Sequence, residues 1–250
     1  GGAGDIEAFI VAFETLAYHD LSMVVKFGVQ FGLFGGSIHR LGTERHHDAY
    51  LERAGTLSLP GCFAMTEWAH GSNVRELETT ARYDPTTEEF VINTPHDEAR
   101  KEWIGNAAAH GRLATVFARL HTNGEEHGVH AFVVPIRTED GTPRPGVRIE
   151  DCGEKVGLNG VDNGRLWFDR VRIPRDHFLD RYATVAPNGA YDSPIPSPGK
   201  RFFTMLSTLV GGRISVARAG LSAAKSGLTV AVRYGNRRRQ FGPKDAPEVP

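Results

Sequence analysis

The apolar residues of this chain change period twice along its length, and that change restricts the fold more than any other feature. Ile6, Phe9, Ile10, Phe13, Leu16 and Ala17 recur at spacings of three and four, which places one apolar stripe on a helix. Gly28, Gly32, Gly35 and Gly36 then interrupt an apolar stretch and predict close helix contacts or a turn, before a short helix from Glu44 to Arg53. Pro60 and Gly61 punctuate the switch. From about 61 to 175 short segments rich in Val, Phe, Thr and Ile alternate with turn residues, as half-buried strands require. Thr79 to Tyr83 and Glu89 to Asn93 flank Asp84-Pro-Thr-Thr87 as a hairpin, while Leu113 to Leu120, Val129 to Ile136 and Arg165 to Val171 supply further strands. A small barrel or sandwich is the expected result.

Pro187, Pro194, Pro196 and Pro198 fall within residues 183–199, a composition that suits neither a helix nor a central strand and reads as a linker. Beyond it Phe203, Leu206, Val210, Ile214, Ala217, Leu221, Ala224, Leu228 and Val232 return to helical spacing, predicting one long amphipathic helix ended by Gly242-Pro243. Gly211, Gly212, Gly220 and Gly227 each weaken such a helix by about 1 kcal/mol relative to alanine, so close packing against neighbours is expected to offset them. The resulting division is a helical part over 1–60, a β domain over 61–182, a linker over 183–199 and a second helical part from 200 to 250.

A chain of 250 residues with 40% hydrophobic content can bury a sizeable core as one large domain or two smaller ones. Lys and Arg total 29 against 30 Asp and Glu, a formal net charge of -1, so no global field favours nucleic acid or an anionic membrane. Any anion site must be local. Cys62 and Cys152 lie far apart in no metal-ligand spacing and read as small buried hydrophobes in a reducing compartment. No apolar run is expected to reach bilayer length, and the start lacks the order of a signal peptide. The opening Gly-Gly-Ala-Gly and the final Glu248-Val-Pro250 both read as cuts.

Three separated segments carry ligand-like character. Residues 61–73, Gly-Cys-Phe-Ala-Met-Thr-Glu-Trp-Ala-His-Gly-Ser-Asn, combine small residues, hydroxyls and glycines that can bring donors against a flat polar ligand. Thr66 and Ser72 are well typed for that task, although an ordinary turn uses the same residues. Lys101-Glu-Trp-Ile-Gly-Asn106 follows, and Arg237-Arg-Arg-Gln-Phe-Gly-Pro243 comes near the end. Taken alone, Gly105 is a turn glycine or a point of close approach, and the arginines are a solvated helix C-terminus compatible with its dipole. Glu44-Arg-His-His47, His110, His121, His127 and His130 match no common metal-ligand pattern, so no metal site is expected. Ser222-Ala-Ala-Lys225 matches a serine-acylase signature only by chance, inside a helix and without its partner motifs. There is no Gly-x-Gly-x-x-Gly after a strand, which argues against a dinucleotide-binding Rossmann site.

In order and spacing these three segments resemble the acyl-CoA oxidases, flavoenzymes of the acyl-CoA dehydrogenase superfamily, and in particular the long-chain type of plant peroxisomes and bacterial relatives. The resemblance runs on through Leu77-Glu-Thr-Thr80, Phe90-Val-Ile-Asn-Thr-Pro95, Val129-His-Ala-Phe-Val-Val-Pro-Ile136, Lys155-Val-Gly-Leu-Asn-Gly-Val-Asp-Asn-Gly164, Val171-Arg-Ile-Pro-Arg175 and Val232-Arg-Tyr234. It implies an α+β multi-domain fold of the acyl-CoA dehydrogenase type: an N-terminal helical part, a middle β-barrel and the start of a C-terminal helical bundle. It also implies FAD as cofactor, acyl-CoA and O2 as substrates, trans-2-enoyl-CoA and H2O2 as products in fatty-acid β-oxidation, and a homodimer sharing its FAD sites.

By the same resemblance Phe63 to Ser72 lie along the flavin, with Thr66 bonding the ring and Ser72 at the junction with acyl-CoA. Trp103-Ile104-Gly105 stands where related dehydrogenases carry Trp-Ile-Thr, and glycine there, leaving space beside the reactive face, is the oxidase pattern. Plant-type relatives have two adjacent tryptophans where this chain has Glu102 and Trp103. Arg238, Gln240 and Phe241 match an element that reaches the partner subunit's FAD pyrophosphate, where a guanidinium fork suits two anionic oxygens. Arg213 aligns with an arginine near the thioester end of acyl-CoA. The family's catalytic glutamate lies downstream of these residues, so no catalytic residue is assigned in this chain. The alternatives are an acyl-CoA dehydrogenase that uses an electron-transfer flavoprotein and a non-catalytic, half-length flavin-binding subunit. The expected compartment is cytoplasmic in a bacterium and peroxisomal in a eukaryote.

Overall fold

A computed structural model describes residues 5–242 and 244–247. Gly1–Gly4, Pro243 and Glu248–Pro250, on which the readings of the two ends and of the Gly242-Pro243 stop partly rest, lie outside the described residues. Helix α1 spans Ile6–Ala17, capped by Asp5, whose carboxylate accepts from the Ala8 N–H at 2.9 Å. Helix α2 (Leu21–Phe27) runs without a break through a π-helical segment (Gly28–Phe34) into α3 (Gly35–Leu41), and α4 follows at Glu44–Gly55. The glycines do not break this helix. A Cβ at Gly28 would come within 3.0 Å of the Phe13 ring and one at Gly32 within 3.2 Å of Phe9, so their absence lets α1 lay its rings on the helix.

The joined stretch Leu21–Leu41 is 21 residues, long and apolar enough by length and composition to cross a membrane, which corrects the expectation that no run reaches that length. Lys26, Gln30 and the four glycines hide it in the linear pattern. In this fold it is partly a core helix. Phe34, Ile38 and Leu41 are buried against Phe117, Val129 and Val133 of the β domain.

The strands are β1 (Gly61–Ala64), β2 (Thr80–Asp84), β3 (Glu89–Asn93), β4 (Lys101–Ile104), β5 (Leu113–Thr122), β6 (Glu125–Pro135), β7 (Val147–Asp151), β8 (Gly164–Phe168) and β9 (Val171–Pro174). β10 (Thr184–Val185) and β11 (Tyr191–Asp192) form a separate two-stranded sheet within the stretch read as a linker. The predicted hairpin is β2–β3, paired from Thr80–Asn93 to Asp84–Glu89. In the six-stranded sheet β5 pairs with β6 on one edge, while β1 and β2 lie end to end, both parallel to β5, on the other. The three-stranded sheet has the order β4-β8-β7.

The two sheets curl around one core that takes Ile92, Val116 and Phe132 from the larger sheet and Ile104, Leu166 and Phe168 from the smaller. β5 is buried on both faces. Ala114, Val116, Ala118 and Leu120 enter this core, whereas Leu113 and Phe117 meet the helices, as the period of two requires. The strand read as Arg165–Val171 is two strands, because Asp169 and Arg170 turn the chain: Arg170 has φ 48 and its N–H donates to Asn93 Oδ1 at 3.2 Å.

The C-terminal helical part also differs from the single helix expected. α5 (Pro198–Leu206), with Ser197 as N-cap, is followed by a 3-10 turn (Ser207–Leu209) and then α6 (Val210–Arg237). The face of α6 buried on α1 carries Ser215, Ala219 and Ser222, while Val210, Ile214, Leu221, Leu228 and Val232 of the expected stripe are exposed. A Cβ at Gly212, Gly220 or Gly227 would meet nothing within 4 Å, so close packing does not explain these three glycines.

Candidate functional site

The site is organised where the chain leaves β1 and pairs with the strand that enters β4. The Glu102 N–H donates to the Thr66 carbonyl at 3.0 Å, the Trp68 N–H to Arg100 O at 3.1 Å and the Ala69 N–H to Glu98 O at 3.0 Å. Glu67 and Lys101 form the bridge between them. Thr66 and Trp103 are thereby brought alongside each other although they are far apart in sequence. Ser72 lies in the turns that follow, exposed, with the Gly71 N–H closing on Glu67 O at 3.1 Å.

Thr66 is half-buried, and neither its backbone N–H nor its hydroxyl has a hydrogen-bond partner among the described residues. Trp103 adopts φ 62 with its ring half-exposed, and its carbonyl accepts from Asn163 Nδ2 at 3.0 Å. Two free donors on one residue beside an indole ring fit a flat heterocycle bearing carbonyl acceptors.

Gly105 follows in the turn after β4. A Cβ there would stand 2.7 Å from Val29 Cγ2, so the missing side chain admits the π-helical segment rather than leaving a void. Asn106, at φ 67, donates from Nδ2 to Gly61 O at 3.0 Å and has its Oδ1 buried without a partner.

Buried charge surrounds these segments. Glu67 and Lys101 are fully buried and bonded to each other at 2.9 Å. Burial raises the Glu67 carboxyl, but Lys101 and the Thr79 hydroxyl outweigh it and the net direction is down; burial pulls Lys101 down against the opposing carboxylate. Glu102 is buried as well and accepts from Arg100 Nε at 2.8 Å and Arg165 Nε at 2.9 Å. Two guanidinium groups thus meet this one acid. Farther along the loop Glu78 accepts from His70 and His96, each at 2.7 Å, and the two hydrogen bonds lower its carboxyl. No cluster of His, Cys, Asp and Glu that could hold a metal occurs among the described residues. Cys62 and Cys152 are free, the first buried and the second half-buried.

The remaining assigned residues lie apart from this seat. Arg238 caps α6 with its N–H on Tyr234 O at 2.8 Å, and Arg238, Gln240 and Phe241 are all exposed. Arg213 is exposed on the first turn of α6, next to Gly211 and Gly212, which line a cavity of about 560 Å³ with Ile6, Phe9, Phe31 and Gly35. Sequence reasoning missed Glu67, Lys101 and Val29. Charged residues within an apolar β pattern were the only signal for the first two, and nothing in the sequence pairs Val29 with Gly105.

This geometry has known relatives. Residues 62–171 match the family described as acyl-CoA dehydrogenase, middle domain. The peroxisomal acyl-coenzyme A oxidase 2 of Arabidopsis thaliana is 51% identical over 254 residues, covering 99% of this chain and 37% of that protein. The human peroxisomal acyl-coenzyme A oxidase 3 is 40% identical, covering 95% and 34%. Among solved structures, acyl-CoA oxidase 3 of Yarrowia lipolytica superposes with a TM-score of 0.88 at 37% identity, covering 97% of this chain and 35% of that one. Acyl-CoA oxidase-2 of Caenorhabditis elegans, bound with FAD, ascaroside-CoA and ATP, gives 0.82 at 35% identity, covering 90% and 33%. The curled sheets with helices on their outer face are thus an acyl-CoA dehydrogenase-type middle domain with its flanking helical parts. Along nearly its whole length the chain is similar to acyl-CoA oxidases of that superfamily, and it spans 37% of the Arabidopsis relative's length.

Proposed function

We propose that the protein containing this chain is an FAD-dependent acyl-CoA oxidase of fatty-acid β-oxidation, taking acyl-CoA and O2 to trans-2-enoyl-CoA and H2O2. The observation that carries this reading is the pairing of the Thr66 segment with the Trp103–Gly105 segment, which sets two unpartnered donors beside an indole and a position without a hydroxyl. FAD, when bound, supplies the acceptor for the substrate β-hydride and the centre at which O2 is reduced. In this chain Thr66 holds the polar edge of the ring, Trp103 covers it, and Ser72 stands toward the acyl-CoA.

The cavity lined by Gly211 and Gly212 suits the acyl tail, and Arg213 is the next residue in the chain. Removal of the α-proton needs a carboxylate within hydrogen-bond reach of the thioester, and no residue of this chain is assigned to it. Arg238, Gln240 and Phe241 are read as completing the FAD site of a second copy, which makes the protein a homodimer. Its compartment is the peroxisome in a eukaryotic source, in line with the names of its relatives, and the cytoplasm in a bacterial one.

The test is anaerobic mixing of the purified whole protein with acyl-CoA, followed by air. Bleaching of the flavin, prompt reoxidation and stoichiometric H2O2 are expected. Bleaching with slow reoxidation in air would assign a dehydrogenase that passes its electrons to a flavoprotein, and no flavin at all would favour a non-catalytic role.

A further inference from the structure

The buried pair Glu67–Lys101 has no spare hydrogen-bonding capacity, and its partners are the backbone of the seat itself. The Lys101 ammonium gives its three protons to Met65 O at 3.1 Å, Glu67 Oε1 at 2.9 Å and Phe117 O at 2.8 Å. Glu67 in turn accepts from the Glu78 N–H at 2.6 Å and from the Thr79 N–H and hydroxyl at 2.9 and 2.6 Å. Both side chains are inaccessible to solvent. A buried ion pair is weak evidence for net stability, because desolvation offsets the attraction. Its use lies in what it joins. Glu67 follows Thr66 directly, and Lys101 stands two residues before Trp103. The carbonyl that Lys101 binds, Met65 O, belongs to the same peptide group as the Thr66 N–H, and that N–H has no partner among the described residues. A cation on a carbonyl polarises the whole peptide and strengthens its N–H as a donor.

Resting on the flavin reading above, we propose that Glu67 and Lys101 are positioning residues: they hold the Thr66 and Trp103–Gly105 segments in register before the cofactor arrives, and they strengthen the Thr66 N–H as a donor to an electron-rich carbonyl edge of the flavin. The pair touches no ligand. It acts through the Met65–Thr66 peptide and through the β-bridge between residues 67 and 101. A donor aimed at that edge favours the reduced, more negative ring, so its loss lowers the reduction potential.

The test uses the whole protein. Wild type that takes up no FAD would sink the flavin reading itself; wild type that takes it up leaves that reading standing and exposes the present one to separate failure. The double variant Lys101→Met with Glu67→Gln removes both charges together. It is expected to bind FAD roughly tenfold more weakly, about 1.4 kcal/mol, and to hold it at a more negative midpoint potential, while its apoprotein still melts cooperatively. A folded double variant with unchanged affinity and potential overturns the proposal. Hydrogen exchange on wild type covers a double variant that does not fold. Residues 64–68 and 100–104 are expected to stay as protected without FAD as with it, and exchange there that speeds up more than roughly tenfold on FAD removal overturns the preformed register.

Discussion

Val29 occupies the place a side chain at Gly105 would need: a Cβ on Gly105 falls 2.7 Å from Val29 Cγ2, with Val29 Cγ1 at 3.4 Å. The glycine therefore does two things, withholding a hydroxyl from the proposed ring and letting the π-helical segment close over the turn. Gly105→Thr alone forces an overlap and is expected to lower stability by about 1–3 kcal/mol, as overpacking does. Adding Val29→Ala restores much of that loss. If Gly105 sets the oxidase behaviour, the double variant, and not Val29→Ala alone, reoxidises slowly in air. Thermal melts and stopped-flow traces of the two half-reactions separate the packing effect from the chemical one.

Arg238→Ala is expected to release FAD far more than it disturbs the fold. The side chain is exposed at the end of α6, where truncation costs little stability. A charge-assisted bidentate contact to a pyrophosphate in a second copy is worth on the order of 2–3 kcal/mol. Flavin content after gel filtration, read beside the melting temperature, decides the matter, and full flavin retention would remove the assignment across a dimer.

Glu102 gives a third prediction, since it is buried and answers two guanidinium groups. Glu102→Gln keeps the shape but halves the acceptor capacity and removes the charge, so a loss of about 1–3 kcal/mol is expected. Glu98→Gln, on an exposed carboxylate bonded to His96 at 3.2 Å, should stay within about 0.5 kcal/mol. Denaturant midpoints for the two variants check the contrast; equal losses would mean that the Arg100–Glu102–Arg165 cluster is solvated.

The parts of the fold legible in the sequence were those set by local period. Phe9 and Phe13 mark α1 because a helix repeats every 3.6 residues, and β2–β3 follows from alternating residues on either side of Asp84-Pro-Thr-Thr87. What the sequence withheld was set by distant contact. Glycines at 28 and 32 leave a close helix contact and a turn equally open until the rings of Phe13 and Phe9 are seen lying on them. The apolar stripe of α6 points away from α1, because Ser215, Ala219 and Ser222 make the closer fit. In the candidate site Thr66, Trp103 and Gly105 were named from residue type and resemblance. Lys101 was not, because a lysine in a strand reads as solvent-facing until the three acceptors around it are known.

His130 supplies the last prediction, a dependence of stability on pH. The ring is buried on β6, with Nδ1 on Gly128 O at 3.1 Å and Nε2 on the Tyr191 hydroxyl at 3.0 Å, and Phe178, His127 and Arg201 surround it. Burial is the main cause that pulls its pKa down to about 3, with Arg201 and His127 acting in the same direction. The unfolded chain binds this proton near pH 6.5. Between those two values the unfolded state holds more protons than the folded one, so stability rises with pH through the window and is complete above it. As pH falls below about 6 the protein should lose up to roughly 1.4 kcal/mol per pH unit through this one group. His130→Gln keeps a polar group between Gly128 and Tyr191 but does not titrate. Its stability is expected to fall less steeply in acid than that of wild type, so that the gap between the two narrows from pH 7 to pH 4. Urea midpoints taken across that range test this, and parallel curves would show that His130 is protonated in the folded protein.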